Sequence, residues 1–539
     1  MKRLDGLARW AASAPLQWLA LALATGALIY LDWGHDGLWF QGDAPRHAAT
    51  GLFFADLLAA LPAHPVDYAL SYYVRYPIIT PLLYPPLFYV AEAIGFTVFG
   101  PSPWLPKAIV LASAAVAGAY SLLWGRRWIG PPAGWAGALL LLMPGMLLYA
   151  NTVTPNVPSL ALTVATLYHL RRWSDGDAGR HLALFIGLAA ASVLTYYPAA
   201  LVLAVAASWT LLAAPRKAGW TIILLSAAAL GTIIVLGSLL PLNLLRNRPV
   251  LASLLSAPGW QFYWQALPAL VGTATLALAV PGALLAALRP QRRQEAARYG
   301  LALLVTLACL VVLPPKDARY ALLLLPFAAL AVMLGVITCA DAVRAPRACV
   351  LAVGLLCAAG GALAGWHKQQ VAVVAGFAPL ARMLASEGPD NAVLYAGRYD
   401  GVFGFYLRLA DPHMRQRVAF AHKLLYQYDL AEGFERIEQP RIDAAGDVAA
   451  LVAQRCGCRW VAFEVREDAT LTVADRLLRS ALAGPPFALV ASFPLAAPSA
   501  IRVDLYRLAL PVTPSPAQDI AFPTFGARVY RGIAPLRPR

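Results

Sequence analysis

The chain has 539 residues, 60% of them hydrophobic and only 13% charged, and the apolar residues gather in long blocks rather than in the short alternation of a soluble core. This is the profile of a polytopic membrane protein. A net charge of +15 would suit nucleic acid if Lys and Arg clustered on one face, but they fall in twos and threes between apolar blocks. They therefore read as topology determinants, and no nucleic-acid partner is expected.

In chain order, Met1 to Trp10 is basic and runs into an apolar stretch without a convincing small-residue cleavage site, which predicts an uncleaved first span. Apolar runs predict about 11 transmembrane helices, at 14–31, 108–124, 133–149, 157–170, 181–196, 198–214, 220–240, 266–288, 299–313, 320–340 and 348–366. With the N-terminus cytoplasmic, the inner connections hold Arg126, Arg127, Arg171, Arg172, Arg180, Arg289, Arg292, Arg293 and Arg298 among others. They carry more than twice the Lys and Arg of the outer ones, as the positive-inside rule requires. The apolar stretch "YPPLFYVAEAIGFTVFG" (84–100) is left outside as a re-entrant or interfacial helix, because counting it as a span reverses that bias.

From His367 charge returns and no run is long enough to cross a bilayer. The sequence thus divides into a membrane domain over 1–366, with a long first external loop over 32–107, and a periplasmic domain over 367–539. In the latter, "NAVLYAG" and "RWVAFEV" read as strands and "VAALVAQRCG" and "ADRLLRSALAG" as helices, which predicts a soluble α/β domain. Six Cys are too few for a disulfide scaffold, and Cys456 and Cys458 form a lone C-G-C that supports a thiol or a redox pair rather than a metal site.

The first external loop interleaves Asp36, Asp43, Arg46, His47, Asp56, His64, Asp67 and Arg75 with Trp33, Trp39, Tyr68, Tyr72 and Tyr73. A second outer loop adds Asn243, Arg246, Arg248, Trp260, Gln261 and Tyr263. Rings cover apolar sugar faces, acids accept from hydroxyls and Arg matches phosphate, so this composition suits a sugar and a phosphate. An interfacial belt of Trp and Tyr with snorkelling charges accounts for it equally well.

Three motifs carry a family resemblance. "GDAPRHA" (42–48) resembles the D-E-x-R-Y/H-A element in the first external loop of the dolichyl-phosphate-mannose protein mannosyltransferase family, whose bacterial relatives include the lipid A aminoarabinose transferases. "YPPLFY" (84–89) is similar to the family's Pro-Pro-Leu-Tyr-Tyr stretch, and "PPKDARYALLLLP" (314–326) to its K-x-x-R-Y-x-L-x-x-x-P segment. The resemblance covers about residues 14–340. It implies a GT-C fold and an integral-membrane glycosyltransferase of a bacterial inner membrane. Such an enzyme moves a sugar from a polyprenyl phosphate to a lipid, protein or glycan acceptor at the outer face, with inversion.

By position, Asp43 matches the family's catalytic acid and is the candidate base. A helix N-cap or turn residue is the plainer reading of "GDAP". Arg46 and His47 follow three and four residues on and are candidates for orienting that carboxylate or touching phosphate, against an ordinary solvated helix face. Lys316, Arg319 and Tyr320 are expected at the donor phosphate, with Arg75, Tyr84 and Arg246 as further contacts; snorkelling anchors are the alternative.

Two positions depart from the family. Ala44 replaces its second acid, so the metal is unknown; the resemblance implies no fixed cofactor and is compatible with a divalent cation. Asn156 stands where relatives often carry an acid, and an amide hydrogen-bonds a hydroxyl but cannot act as base at neutral pH. In the C-terminal domain, Arg398 and Asp400 lie in the turn after a strand, where α/β sheets tend to bind ligands and where a capped turn is equally expected. A transporter or flippase for a lipid-linked saccharide, and a polysaccharide polymerase or ligase, are the competing functions. The near absence of charge within the spans favours chemistry at the surface.

Overall fold

The computed structural model describes residues 12–31, 38–39, 43–79, 84–200, 204–209, 254, 256–312, 316–343, 352, 356, 360, 373–388, 392–430, 436–442, 444–513, 517–522 and 528–538. The expected span over 220–240, nearly all of that over 348–366, part of that over 198–214, and Arg246 and Arg248 lie outside the described residues.

The chain opens on helix α1 (Ala14–Leu31) and a short strand β1 (Leu38–Trp39), followed by α2 (Ala44–Ala60), α3 (Pro65–Arg75) and α4 (Leu87–Phe99). Next come α5 (Trp104–Trp128), two short helices at Ala136–Leu142 and Pro144–Tyr149, α6 (Asn156–Ser174) and α7 (Arg180–Thr195). The later helices are α8 (Ala257–Val271), α9 (Thr273–Ala287), α10 (Pro290–Val312) and α11 (Leu325–Val343).

Among the described residues, α5, α10 and the run Ala318–Ala342, which takes in α11 up to Ala342, are long and apolar enough to cross a membrane. The chain is an α-helical polytopic membrane protein with a C-terminal domain that contains strands.

Two expected spans are broken. The run over 133–149 divides at Met143, which is extended at ψ 140° ahead of Pro144. The proline ring disfavours helical geometry in the preceding residue, so the first helix ends there. The run over 266–288 is two helices, α8 and α9, bent by 108° at Gly272. Gly272 has φ 92°, open to glycine and costly for other residues. Hydropathy registers the apolar content of both segments but not these backbone breaks.

The C-terminal elements are β2 (Val373–Val374), α12 (Phe377–Ser386), β3 (Ala392–Ala396), α13 (Asp400–Ala410), β4 (Arg417–Phe420), β5 (Tyr426–Leu430), β6 (Arg436–Pro440) and β7 (Trp460–Val465). They continue with α14 (Val473–Leu482), β8 (Phe487–Pro494), β9 (Arg502–Leu508), β10 (Gln518–Phe522) and β11 (Arg528–Ile533). The central sheet has the order β4-β3-β7-β9-β8, with β4, β3 and β7 parallel and β9 and β8 antiparallel to their neighbours. All five residues of β3 are buried, as a strand covered on both faces requires. On one side lie Leu394, Val461, Phe463, Leu478 and Leu508. Cys456 and Cys458 are joined by a disulfide.

By packing, the described chain falls into two compact units. The first comprises residues 1–33, 84–88 and 107–370; the second comprises 34–83, 89–106 and 371–539. Most of the first external loop thus packs with the C-terminal α/β domain, a grouping that a boundary drawn at residue 366 does not reveal. Within the first unit, α9 and α11 cross where Gly282 meets Gly335 so closely that a Cβ at Gly282 would lie 2.6 Å from the Cα of Gly335. Small residues at such crossings let membrane helices approach and gain dispersion contact. At Glu295 the carboxylate accepts from Arg171 and Arg298, and the Arg171 guanidinium lies 4.2 Å from the Trp128 ring centroid.

Candidate active site

Asp43 precedes α2, and Pro45 stands in the first turn where its missing N–H costs nothing. The Asp43 backbone carbonyl accepts from the N–H groups of Arg46 and His47. Its carboxylate does not cap the helix, so the capping role that the sequence allowed is not the one it performs.

One turn on, Arg46 Nη2 donates to Asp400 Oδ2 at 2.6 Å, and His47, 1% exposed, shares a 2.7 Å hydrogen bond between Nδ1 and the Tyr89 hydroxyl. Arg46 and His47 are therefore not a solvated helix face; both are held by partners within the second unit, to which they belong.

The same unit fixes the rest of the loop. Asp56 on α2 and Arg408 on α13 form a buried bidentate pair at 2.5 and 2.7 Å, and the Tyr72 hydroxyl donates to Asp56 at 2.9 Å. Tyr76 donates to Asp411 at 2.9 Å. Arg75 is 3% exposed and donates to the carbonyls of Met414 and Gln416 with one amino group and of Leu536 with Nε. These carbonyl contacts make Arg75 a tie between the loop and the C-terminal domain, where the sequence suggested a phosphate ligand.

At the carboxyl ends of β3, β4 and β7 the α/β domain gathers polar groups, the usual place for ligands in parallel sheets. Glu464 near the end of β7 is fully buried and accepts from the Tyr395 hydroxyl and from the N–H groups of Arg398 and Tyr399, both at 2.8 Å. Burial holds the Glu464 carboxyl above the usual carboxylate range, against the hydrogen bonds it accepts, which pull it down; the Tyr395 hydroxyl lies above the usual phenol range through burial first and then through the neighbouring Glu464. Glu464 thereby sets the turn after β3. Asp400 then opens α13, accepts from the Gly401 N–H at 2.7 Å, pairs with Arg46 and lies 3.8 Å from His422.

The first unit holds Tyr84, Asn156, Lys316, Arg319 and Tyr320. Three of the five meet around a residue absent from the sequence-based candidates, Tyr196. Its ring stacks on Tyr84 at 6.4 Å and tilts against Tyr320 at 6.1 Å, and its hydroxyl is hydrogen-bonded by the Asn156 side chain.

The stretch leading into α6 is buried from Ala150 to Ala161. Along it Asn151 Oδ1, Thr154 Oγ1, Asn156 Oδ1 and Ser159 Oγ have no hydrogen-bond partner among the described residues. Arg319 pairs with Asp317 at 2.9 Å, and the Asp317 carboxylate also accepts from the Arg319 N–H. Lys316 Nζ donates to the carbonyls of Val311 at 2.5 Å and Leu310 at 3.4 Å. Among the described residues no group of three His, Cys, Asp or Glu could hold a metal ion.

No protein-family model matches the chain, and no curated protein matches it at the sequence level. Solved structures do. ArnT from Cupriavidus metallidurans bound to undecaprenyl phosphate is similar with a TM-score of 0.57 at 15% identity, over 93% of this chain and 100% of that one. The apo state gives 0.58 over the same shares. The archaeal oligosaccharyltransferase AglB from Archaeoglobus fulgidus, in complex with an inhibitory peptide and a dolichol-phosphate, gives 0.54 at 11% identity, over 83% of this chain and 69% of that one. The chain has the fold of these proteins, the GT-C fold that its three motifs led us to expect.

Proposed function

We propose that this chain is an integral-membrane glycosyltransferase that moves a sugar from a polyprenyl-phosphate donor to an acceptor hydroxyl at the outer face of a bacterial inner membrane. The observation that carries the reading is the likeness in fold to a structure that contains undecaprenyl phosphate, over 93% of this chain and the whole of that one. The buried hydrogen-bond capacity between Asn151 and Ser159 supports it, because a hydroxyl-rich ligand satisfies such atoms and an acyl chain does not. The Cys456–Cys458 disulfide supports an outer placement of the C-terminal domain, since disulfides persist in oxidising compartments.

The mechanism we assign is a single displacement with inversion. Asp43 removes the proton of the acceptor hydroxyl as its oxygen attacks the anomeric carbon. The sugar–phosphate bond breaks on the opposite face, and fixed positive charge from Arg319 and Lys316 stabilises the departing lipid phosphate. Tyr84, Tyr196 and Tyr320 offer ring faces to the sugar, and Asn156 hydrogen-bonds it rather than acting as a base. No step is assigned to a metal ion.

The test is reconstitution in vesicles loaded with lipid extract from the native envelope. Sugar transfer without passage of the saccharide across the bilayer supports the proposal. Passage without transfer identifies a flippase instead. Mass spectrometry of envelope glycans and glycolipids from a deletion strain then identifies the sugar and the acceptor.

A further inference from the structure

Helix α4 is built the wrong way round for water. Between Tyr76 and Pro106 the sequence contains a single charged residue, Glu92. That residue is fully buried, and neither carboxylate oxygen has a hydrogen-bond partner among the described residues. Phe88, Ala93 and Phe96 are buried with it, while the opposite face is also apolar: Ile94 is 56% exposed, Val98 66% and Phe99 79%. The exposed polar side chain at Thr97 donates its hydroxyl to the Ala93 carbonyl at 2.8 Å, within the helix. A helix with one face in water puts its charge on that face and keeps Ile, Val and Phe off it. A helix facing hydrocarbon needs the reverse, since lipid offers no partner to a polar group and no penalty to Ile, Val or Phe.

The helix that α4 packs against contributes to the same end. The His47 ring meets Tyr89, and four residues later on α2 Gly51 meets Glu92, three residues later on α4. Farther along α2 the Phe54 ring also lies against Tyr89, at 5.9 Å, and Leu58 is exposed. Gly51 is what allows the approach, since a Cβ there would lie 2.7 Å from the Cβ of Glu92 and closer still to its carboxyl.

We infer that α4 is embedded in the outer leaflet of the bilayer, with Ile94, Val98 and Phe99 against acyl chains, and that it anchors α2, the helix that begins beside Asp43, to the lipid surface. Thirteen residues reach about 20 Å as a helix, short of the roughly 30 Å hydrocarbon core, so α4 enters the membrane without crossing it. Gly100, with φ 83°, then turns the chain through Pro101 and Pro103 into the spanning helix α5, whose first residue is Trp104, a residue type favoured at the membrane interface. The inference concerns where α4 sits and does not depend on the transfer chemistry.

The test uses the unaltered protein in phosphatidylcholine vesicles whose lipids carry a diazirine near the end of one acyl chain. After illumination, adducts are mapped by peptide mass spectrometry. The expected result is acyl-chain adducts on Ile94, Val98 or Phe99 at a level comparable with Val116 on α5, and at least tenfold above Leu489 and Val490, which are exposed on strand β8 of the C-terminal domain. Labelling of 94–99 no stronger than that of 489–490 overturns the inference, because the face is then covered by water, a second copy or a soluble partner rather than by lipid. Glu92→Gln labelled in the same way is expected to keep the pattern, since the inference uses the carboxyl as a buried group and not as a charge.

Discussion

Two polar stretches, one in each unit, are finished differently. Along α2 and α3 charged side chains end on protein partners: Arg46 on Asp400, Asp56 on Arg408, and Arg75 on the carbonyls of Met414, Gln416 and Leu536. From Asn151 to Ser159 four buried polar atoms end on nothing among the described residues. A buried hydrogen-bonding group left unmade costs about 1–3 kcal/mol. On the proposed function the saturated stretch holds the segment that begins at Asp43, and the unsaturated one is where we propose that the ligand binds.

That contrast breaks first at Asp56. Removing one partner of a buried ion pair leaves the other charge uncompensated, at a cost of about 3–5 kcal/mol. Asp56→Asn is expected to lower the denaturation midpoint of the protein accordingly, and Asp56→Leu with Arg408→Met to recover most of the loss. An unchanged midpoint in Asp56→Asn removes the mechanical role from this pair.

A smaller effect, about 1–3 kcal/mol, is expected for Glu464→Gln, because an amide oxygen replaces only part of what the carboxylate accepts from Tyr395, Arg398 and Tyr399. Since burial raises the pKa of Glu464 in the folded state, the folded chain keeps this proton to higher pH than the unfolded chain does. Its contribution to stability is complete below the ordinary glutamate range and is lost as pH rises through the raised value. Glu464→Gln therefore flattens the stability profile across that window. A profile identical to that of the native protein contradicts the assignment.

Asn156→Ala tests the other side of the contrast. It removes an oxygen that no described residue uses together with an amide that hydrogen-bonds the Tyr196 hydroxyl, so melting is expected to shift by a few degrees while donor affinity falls about tenfold, the worth of one hydrogen bond of about 1.4 kcal/mol. A marked loss of stability with unchanged donor affinity makes Asn156 structural.

The sequence rendered these two regions unequally legible. The spans expected at 108–124, 299–313 and 320–340, the α/β character of the C-terminal domain and the strands at 392–396 and 460–465 follow from hydropathy and β-branched runs, and they match. Asp43, Asn156 and Tyr320 stood out through short motifs. The Arg46–Asp400 and Asp56–Arg408 pairs did not, because 354 and 352 residues separate their partners and no local pattern links them. Tyr196 was hidden for a different reason: one tyrosine at the end of an apolar run reads as an interfacial residue until its neighbours are known. Glu92 was visible as the sole charge in a long apolar stretch, a signal that could have marked it before any coordinates. The breaks at Met143 and Gly272 were missed because an average over an apolar window does not see one backbone torsion.

The account stands most directly on the turnover of Asp43→Asn in vesicles supplied with native lipid-linked donor. It predicts a protein that inserts, folds and binds donor as the unaltered chain does, with transfer reduced at least about a hundredfold, as loss of a general base commonly produces. Transfer at the unaltered rate contradicts it.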